Sequence, residues 1–398
     1  MYKHILIPVD NSDCSNMAID MGVDLAKGLG AKITGNHVYA ARLHDDRFRQ
    51  MESDLPEEYQ DEDEIVRQRK IHDSLISKGL EMISDSFVDV LTAKCKEAGL
   101  PECGRSLPEG KNYTEIVKDA QKGDYDLTIM GFTGLGKVKS SLIGSVTERV
   151  VRRVTKTDLL VMKKPAKLEG GKIMVCVDGS HYSFAAMETA VNLSKKYNMT
   201  VEGVAVFDPD FHYVAFNSLA GVLSEEAGKM FKFKEQEELH SEVIDKGLAK
   251  IYEAHLKRSI MIALKNGVEV KETLLSGKPY DEMIKHVEKT QPDLLIMGKL
   301  GFHTDETLDI GNNSENVLRM ADANVMLINR QYEGKLTYSG QSMKKLEWTE
   351  DATAKLNRAP KFVHKMIIKM VNEFANDKGY ELIDAKVVDE AREHLGIG

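Results

Sequence analysis

Residues 129–145 read IMGFTGLGKVKSSLIGS, in which Gly131, Gly136 and Lys137 nearly spell a phosphate-binding P-loop. The template G-x-x-x-x-G-K-[ST] fails at Val138, where a hydroxyl should hold magnesium. A second spacing fits better: Gly131, two residues, Gly134, nine residues, Gly144 and then Ser145. Glycines so placed let backbone amides approach phosphate oxygens and adopt dihedrals closed to other residues. Gly144 and Ser145 open the stretch SVTERVVRR, which has helical patterning. Its first-turn N–H groups and the Ser145 hydroxyl would hold the same anion. Lys137 then becomes a loop-surface charge that helps phosphates generically.

The remaining residues narrow the chemistry. No nucleophile stands beside a general base in a recognisable motif, so no catalytic residue is expected. None of the twelve histidines has metal-ligand spacing, which argues against a dedicated metal site. Cys14, Cys95, Cys103 and Cys176 form no C-x-x-C pair and fit a reducing, cytoplasmic setting. A net charge of −9 argues against a nucleic-acid binder. MYKHILIPVD enters a strand at once, leaving no room for a signal peptide, and no apolar run reaches the ~18 residues of a membrane span.

The 398 residues exceed one ordinary core, and an internal repeat divides them. GKNYTEIVKDAQKGDYDLTIMGFTG (110–134) aligns with GKPYDEMIKHVEKTQPDLLIMGKLG (277–301), each pair lying 167 positions apart. Upstream, HILIPVDNSDCS matches KIMVCVDGSHYS, with Asp10 opposite Asp178. Residues 1–165 and 170–332 are therefore read as two copies of one domain, with a third segment over 345–398. In each copy short apolar runs alternate with helical patterns, which predicts an α/β fold with a parallel sheet covered on both faces. Ligands of such sheets sit beyond the carboxyl ends of the strands, where Asp10, Val38 and Gly131 fall.

The G-x2-G-x9-G-[ST] loop, the strand ending at Asp10 and the strand ending HV at Val38 together resemble the universal stress protein family. The resemblance covers both copies and implies two tandem Rossmann-like domains. It also implies ATP or another adenine nucleotide as ligand, with or without magnesium. The residues carried over in the first copy are Asp10, Val38, Gly131, Gly134, Gly144 and Ser145. Asp10 would accept from ribose or adenine, and the Val38 backbone would read the adenine edge. In the second copy Asp178, Val206, Gly298, Gly301 and Gly311 keep the pattern, but Asn312 replaces the hydroxyl residue. Its loop also carries Asp305, Glu306 and Asp309, which repel phosphates unless a cation intervenes. The first copy is the expected competent site, and the second is left open between a nucleotide site and a purely structural copy.

The final apolar strands, DLLVMKK and NVMLINR, would be exposed edges if unpaired. Family members pair such edges across a dimer, so the two copies are expected to pair within one chain, with homo-oligomers on other surfaces left open. Between Asp45 and Glu64 lie ten acids and two bases, read as a solvated helical face, with a lid or docking surface as the alternative. The second copy carries its own insertion at the same place, FDPDFHYVAFNSLAGVLSEEAGKMFKFKEQ, read as packed. Over 345–398, Phe362, Val363, Met366, Ile367, Met370, Val371 and Phe374 form one helical stripe, with Thr349 and Asp384 as N-caps. Trp348, Thr349, Ala352, Leu356, Pro360, Val363, Gly379 and VVDEAR resemble the small C-terminal domain of the light-independent protochlorophyllide reductase B subunit. An all-α module that docks an unknown protein partner is the expectation there. Three functions stay open at this point: nucleotide-dependent stress regulation, a nucleotide-free scaffold, and a weak ATPase or redox-complex accessory.

Overall fold

The computed structural model describes residues 1–54, 56, 59, 61–138, 141–209, 245–302, 308–334, 346–359, 364–378 and 380–394. The chain divides into two compact units, Met1–Val206 with Ser259–Tyr332, and Phe207–Arg258 with Glu333–Gly398. Most of the insertion that begins at Phe207, with Asp305, Glu306, Pro360, Phe362, Val363 and Gly379, lies outside the described residues.

In the first unit the first repeat runs β1 (His4–Pro8), α1 (Asp13–Leu29), β2 (Lys32–Asn36), α2 (Ala41–Met51), a 3-10 turn (Glu52–Asp54) and α3 (Glu62–Glu97). It continues with β3 (Gly104–Ser106), α4 (Asn112–Lys122), β4 (Leu127–Gly131), α5 (Ser145–Arg153) and β5 (Asp158–Met162). The second repeat follows the same course. It runs β6 (Lys172–Cys176), α6 (His181–Tyr197), β7 (Thr200–Phe207), α7 (Asp245–Lys265), β8 (Val270–Ser276), α8 (Pro279–Thr290), β9 (Leu294–Gly298), α9 (Asn312–Met320) and β10 (Asn324–Ile328). Local chemistry sets the boundaries. The Ser12 side chain accepts from Ser15 N–H to start α1, and Gly30 ends it at φ 68°, a left-handed conformation natural to glycine.

One ten-stranded sheet results, in the order β3-β2-β1-β4-β5-β10-β9-β6-β7-β8. The central strands of each repeat pair in parallel, and their residues are buried, as expected of strands covered on both faces. The expected edge pairing is present: β5 meets β10 antiparallel, with Leu159, Leu160 and Val161 opposite Leu327, Met326 and Val325. Around this seam Arg152 pairs with Glu315 and Arg319 with Glu148, positions related by the 167-residue repeat. Lysines cross it too. Lys163 Nζ donates to Ala321 O at 2.5 Å, and Lys299 Nζ donates to Val154 O at 2.7 Å. Ala321 and Val154 are the C-caps of α9 and α5, where helix carbonyls lack internal partners and the dipole favours a cation.

Part of the second unit is the C-terminal module, with β11 (Glu347–Trp348), α10 (Glu350–Leu356), α11 (His364–Lys378), β12 (Leu382–Ile383) and α12 (Ala385–His394). It is helical apart from the two-residue parallel pairing of β11 with β12. Thr349 caps α10 and Asp384 accepts from the first-turn N–H groups of α12, both as expected. Val371 and Phe374 of the apolar stripe are buried with Ala352, Ile383, Val387 and Ala391, and Trp348 and Ile367 pack against them. Because Trp348 is the chain's single tryptophan, its fluorescence should report the melting of this module alone. A tryptophan transition that coincides with circular-dichroism loss of the whole chain would show that the module does not unfold separately.

Candidate functional site

In a repeat whose strands run 3-2-1-4-5, the order reverses between β1 and β4, and the crevice beyond their carboxyl ends is where such sheets bind ligands. A cavity of about 440 Å³ opens there. Asp10, Val38, Gly131, Gly134, Gly144 and Ser145 all line it, so the six residues picked from the sequence converge on one place. Lys137 lines it as well.

The glycines earn their places differently from the expectation. Neither Gly131 nor Gly134 has a positive φ. A Cβ on Gly131 would lie 2.8 Å from the Cys14 carbonyl carbon and the Ser15 nitrogen, so this glycine lets the first turn of α1 close on the end of β4. A Cβ on Gly134 would lie 2.3 Å from Asp10 Oδ2. Close approach, not left-handed backbone, is the constraint. Asp10 is likewise partly committed: Oδ1 accepts from Ser12 N–H (3.0 Å) and Ser12 Oγ–H (2.6 Å), and Oδ2 from Leu135 N–H (3.0 Å). It ties the glycine loop to the end of β1 and keeps roughly one lone-pair site of about four for a ligand.

α5 offers the clearest donors. Its N-cap is Gly144, and no side chain bonds its first turn. The opening N–H groups of a helix have no intrahelical partner, and they carry the positive end of its dipole. Thr147 Oγ–H, in that turn, donates to Gly131 O at 2.8 Å and fixes the helix start against β4. By contrast, α1 and α10 are closed by Ser12 and Thr349.

The adenine-side expectation at Val38 has a geometric basis. His37 N–H donates to Ser106 O and Tyr39 N–H to Pro108 O, both toward the β3 side. Strand alternation then turns the Val38 N–H and C=O toward β1, past its last residue. Asn36 escaped the sequence reading. It lines the cavity, fully buried, with Oδ1 unpartnered while Nδ2 donates to Asp119 Oδ2 at 2.8 Å. A polar residue closing an apolar strand, where the second repeat has Val204, was the available signal.

The second repeat keeps the frame and changes its use. Ser180 N–H and Phe302 N–H donate to Asp178, both at 3.0 Å, and Ser314 Oγ–H donates to Gly298 O at 2.9 Å. Gly311 is the N-cap of α9, again without a side-chain bond, and Asn312 is its first residue, whose Oδ1 accepts from Asn316. Gly298 ends β9, Gly301 follows it and Val206 is buried near the end of β7. Asp309, read above as a phosphate-repelling charge, instead pairs with Arg152 of the first repeat at 3.1 Å. Lys299 stands where the first repeat has Phe132, and burial pushes its pKa down to about 8. No cluster of three or more His, Cys, Asp or Glu able to hold a metal occurs among the described residues. No helix among them is long and apolar enough to cross a membrane.

Comparison with known proteins bears on the family and the fold. The model of the Universal stress protein family matches residues 1–162 and again 171–329. The chain belongs to the universal stress protein family. A universal stress protein of Methanocaldococcus jannaschii is 30% identical over 179 residues, 41% of this chain and 97% of that protein. The crystal structure of a universal stress protein from Archaeoglobus fulgidus covers 82% of this chain and 97% of its own, with 19% identity and a TM-score of 0.50, and so shares the tandem fold. Residues 348–392 match the model described as the Proto-chlorophyllide reductase 57 kD subunit. The B subunit of the light-independent protochlorophyllide reductase of Nostoc punctiforme is 39% identical over 51 residues, 13% of this chain and 10% of that polypeptide.

Proposed function

We propose that this universal stress protein is an adenine-nucleotide-binding regulator that takes ATP in its first repeat. The observation that carries the reading is the open first turn of α5, facing the cavity at the switch point. The triphosphate would accept from those N–H groups, the Ser145 hydroxyl and the loop amides, with Lys137 adding charge. Ribose and adenine would lie toward Asp10 and Val38. Magnesium would travel with the triphosphate.

A nucleotide-free scaffold is the competing reading, and the packing roles of Gly131 and Gly134 favour it. Calorimetric titration separates the two. One ATP per chain is expected, and Gly311→Val should leave it in place, since a Cβ there has its nearest neighbour at 3.4 Å. No heat would favour the scaffold, and loss of binding in Gly311→Val would move the site to the second repeat. Phosphate release in the same samples measures slow hydrolysis.

We also expect ATP affinity to survive removal of residues 335–398 within about twofold, since every residue proposed to touch the nucleotide lies in the first repeat. If truncation abolishes affinity while circular dichroism shows intact repeats, the C-terminal module belongs to the site.

A further inference from the structure

Beside the nucleotide cavity, and sharing Asn112 and Val146 with it, lies an open groove of about 690 Å³. Its walls include Lys111, Tyr113, Arg149 and Arg153. The two guanidinium groups, both exposed, sit over the Tyr113 ring, 4.9 and 5.4 Å from its centroid, and Arg153 also donates to Arg149 O at 3.3 Å. Among the described residues none of these three cations pairs with a carboxylate. The acids closest in sequence are engaged elsewhere, Glu109 with Arg42, Glu115 with Lys118, and Glu148 with Arg319 and Arg152. α4 opens onto the same groove with Lys111 as its N-cap and no side-chain bond to its first turn.

The second repeat serves as an internal control. Gly277, Lys278 and Tyr280 repeat Gly110, Lys111 and Tyr113, yet Asn316 and Met320 stand in place of Arg149 and Arg153. α9 nevertheless forms over the same nine residues as α5. The arginines are therefore not needed to build the helix. In a chain of net charge −9, three such cations around one groove are a local reversal of sign.

The geometry points to a second anion subsite in the first repeat, at Lys111, Arg149 and Arg153, that takes a phosphate group beside the nucleotide. Paired guanidinium forks match the oxygen spacing of phosphate and give charge-assisted hydrogen bonds. The phosphate belongs either to a free polyphosphate anion or to the far half of a dinucleoside polyphosphate bound in the adjoining cavity. The subsite stands on its own residues and does not depend on ATP being the neighbouring ligand.

The test is titration of inorganic pyrophosphate into the full chain saturated with ATP, at fixed ionic strength. Pyrophosphate should bind without displacing ATP, and the double variant Arg149→Gln, Arg153→Gln should weaken it at least about tenfold, as loss of charge-assisted bonds implies. ATP affinity should hold within about threefold, because the substituted side chains line only the groove. Equal pyrophosphate binding by wild type and variant, or displacement of ATP by pyrophosphate, would overturn the subsite. If the chain binds no ATP, arginine-dependent binding of pyrophosphate to the free chain still supports it, while the nucleotide reading falls. A dinucleoside tetraphosphate that binds more tightly than ATP to wild type, but not to the variant, assigns the phosphate to a bridging ligand. Equal affinity for the two nucleotides, with pyrophosphate binding retained, assigns it to a free anion.

Discussion

Replacing Gly136 and Lys137 together by glutamate is expected to weaken ATP binding about 30-fold, with no loss of fold. The variant tests charge rather than shape. A Cβ on Gly136 would meet no atom within 4 Å, and Lys137 is exposed, so neither side chain has packing to disturb. Two unit charges 4 Å apart at an effective dielectric of 20 interact by about 4 kcal/mol. The exchange changes the charge by three units, but on an exposed, salt-screened loop at longer range these together are expected to amount to ~2 kcal/mol, the factor of about 30. The substitution also copies nature, since Asp305 and Glu306 stand in the matching loop of the second repeat. Titration calorimetry and a thermal melt check both halves of the statement. Unchanged affinity would show that no phosphate lies along this loop.

The site was legible because its parts are backbone features fixed by short sequence signals. Glycine spacing, the aspartate closing β1 and the apolar run of β4 each mark a strand end, and the repeat supplied every signal twice. The physical reasons were less legible. From sequence Gly131 reads as a phosphate-loop glycine, whereas the structure needs it where α1 crosses the end of β4. That constraint is tertiary, and no local pattern encodes it. β3 was missed because three residues, Gly104–Ser106, give no alternation to detect. The helical face read from the acidic run is present as α2 and the start of α3, whereas the pairing of β11 with β12 rests on two residues each.

The two repeats have diverged by assigning equivalent positions to different tasks. In the first, Phe132 packs under the Lys163 ammonium, 4.2 Å from its ring centroid, while the loop around Lys137 and the Asn36 amide line the crevice. In the second, Lys299 turns away to cap α5, and Asp309 pairs with Arg152 across the seam. Positions occupied by Phe132 and Leu142 in the first repeat thus carry, as Lys299 and Asp309, contacts that hold the copies together. The repeats therefore differ in structure beyond the exchange of Ser145 for Asn312.

Lys299→Glu is expected to cost the repeat pair more than about 4 kcal/mol, because it buries an unpaired anion against helix carbonyls. Lys299 is 1% exposed, and its ammonium donates to Arg152 O at 3.1 Å and Val154 O at 2.7 Å at the end of α5. A carboxylate there would face two acceptors and the negative end of the helix dipole. Lys299→Met keeps similar bulk without charge, and Asn329 Nδ2 still donates to Val154 O, so this variant should fold. Its effect should appear in pH dependence. Burial lowers the Lys299 pKa from 10.5 to about 8, so the unfolded chain binds more protons between those values. Stability should therefore rise with pH from about 8 toward 10.5, by up to about 3 kcal/mol for this residue, with a constant penalty below about pH 8. Lys163, also lowered by burial to about 8, contributes in the same direction and leaves a slope in the variant. Urea unfolding at pH 7.5 and 9.5, within the range of ordinary buffers, measures the difference. Wild type should gain more than Lys299→Met on the move to the higher pH. Equal gains would mean that the Lys299 ammonium is not desolvated at the seam, and a stable Lys299→Glu chain would mean that its side chain leaves the interface altogether.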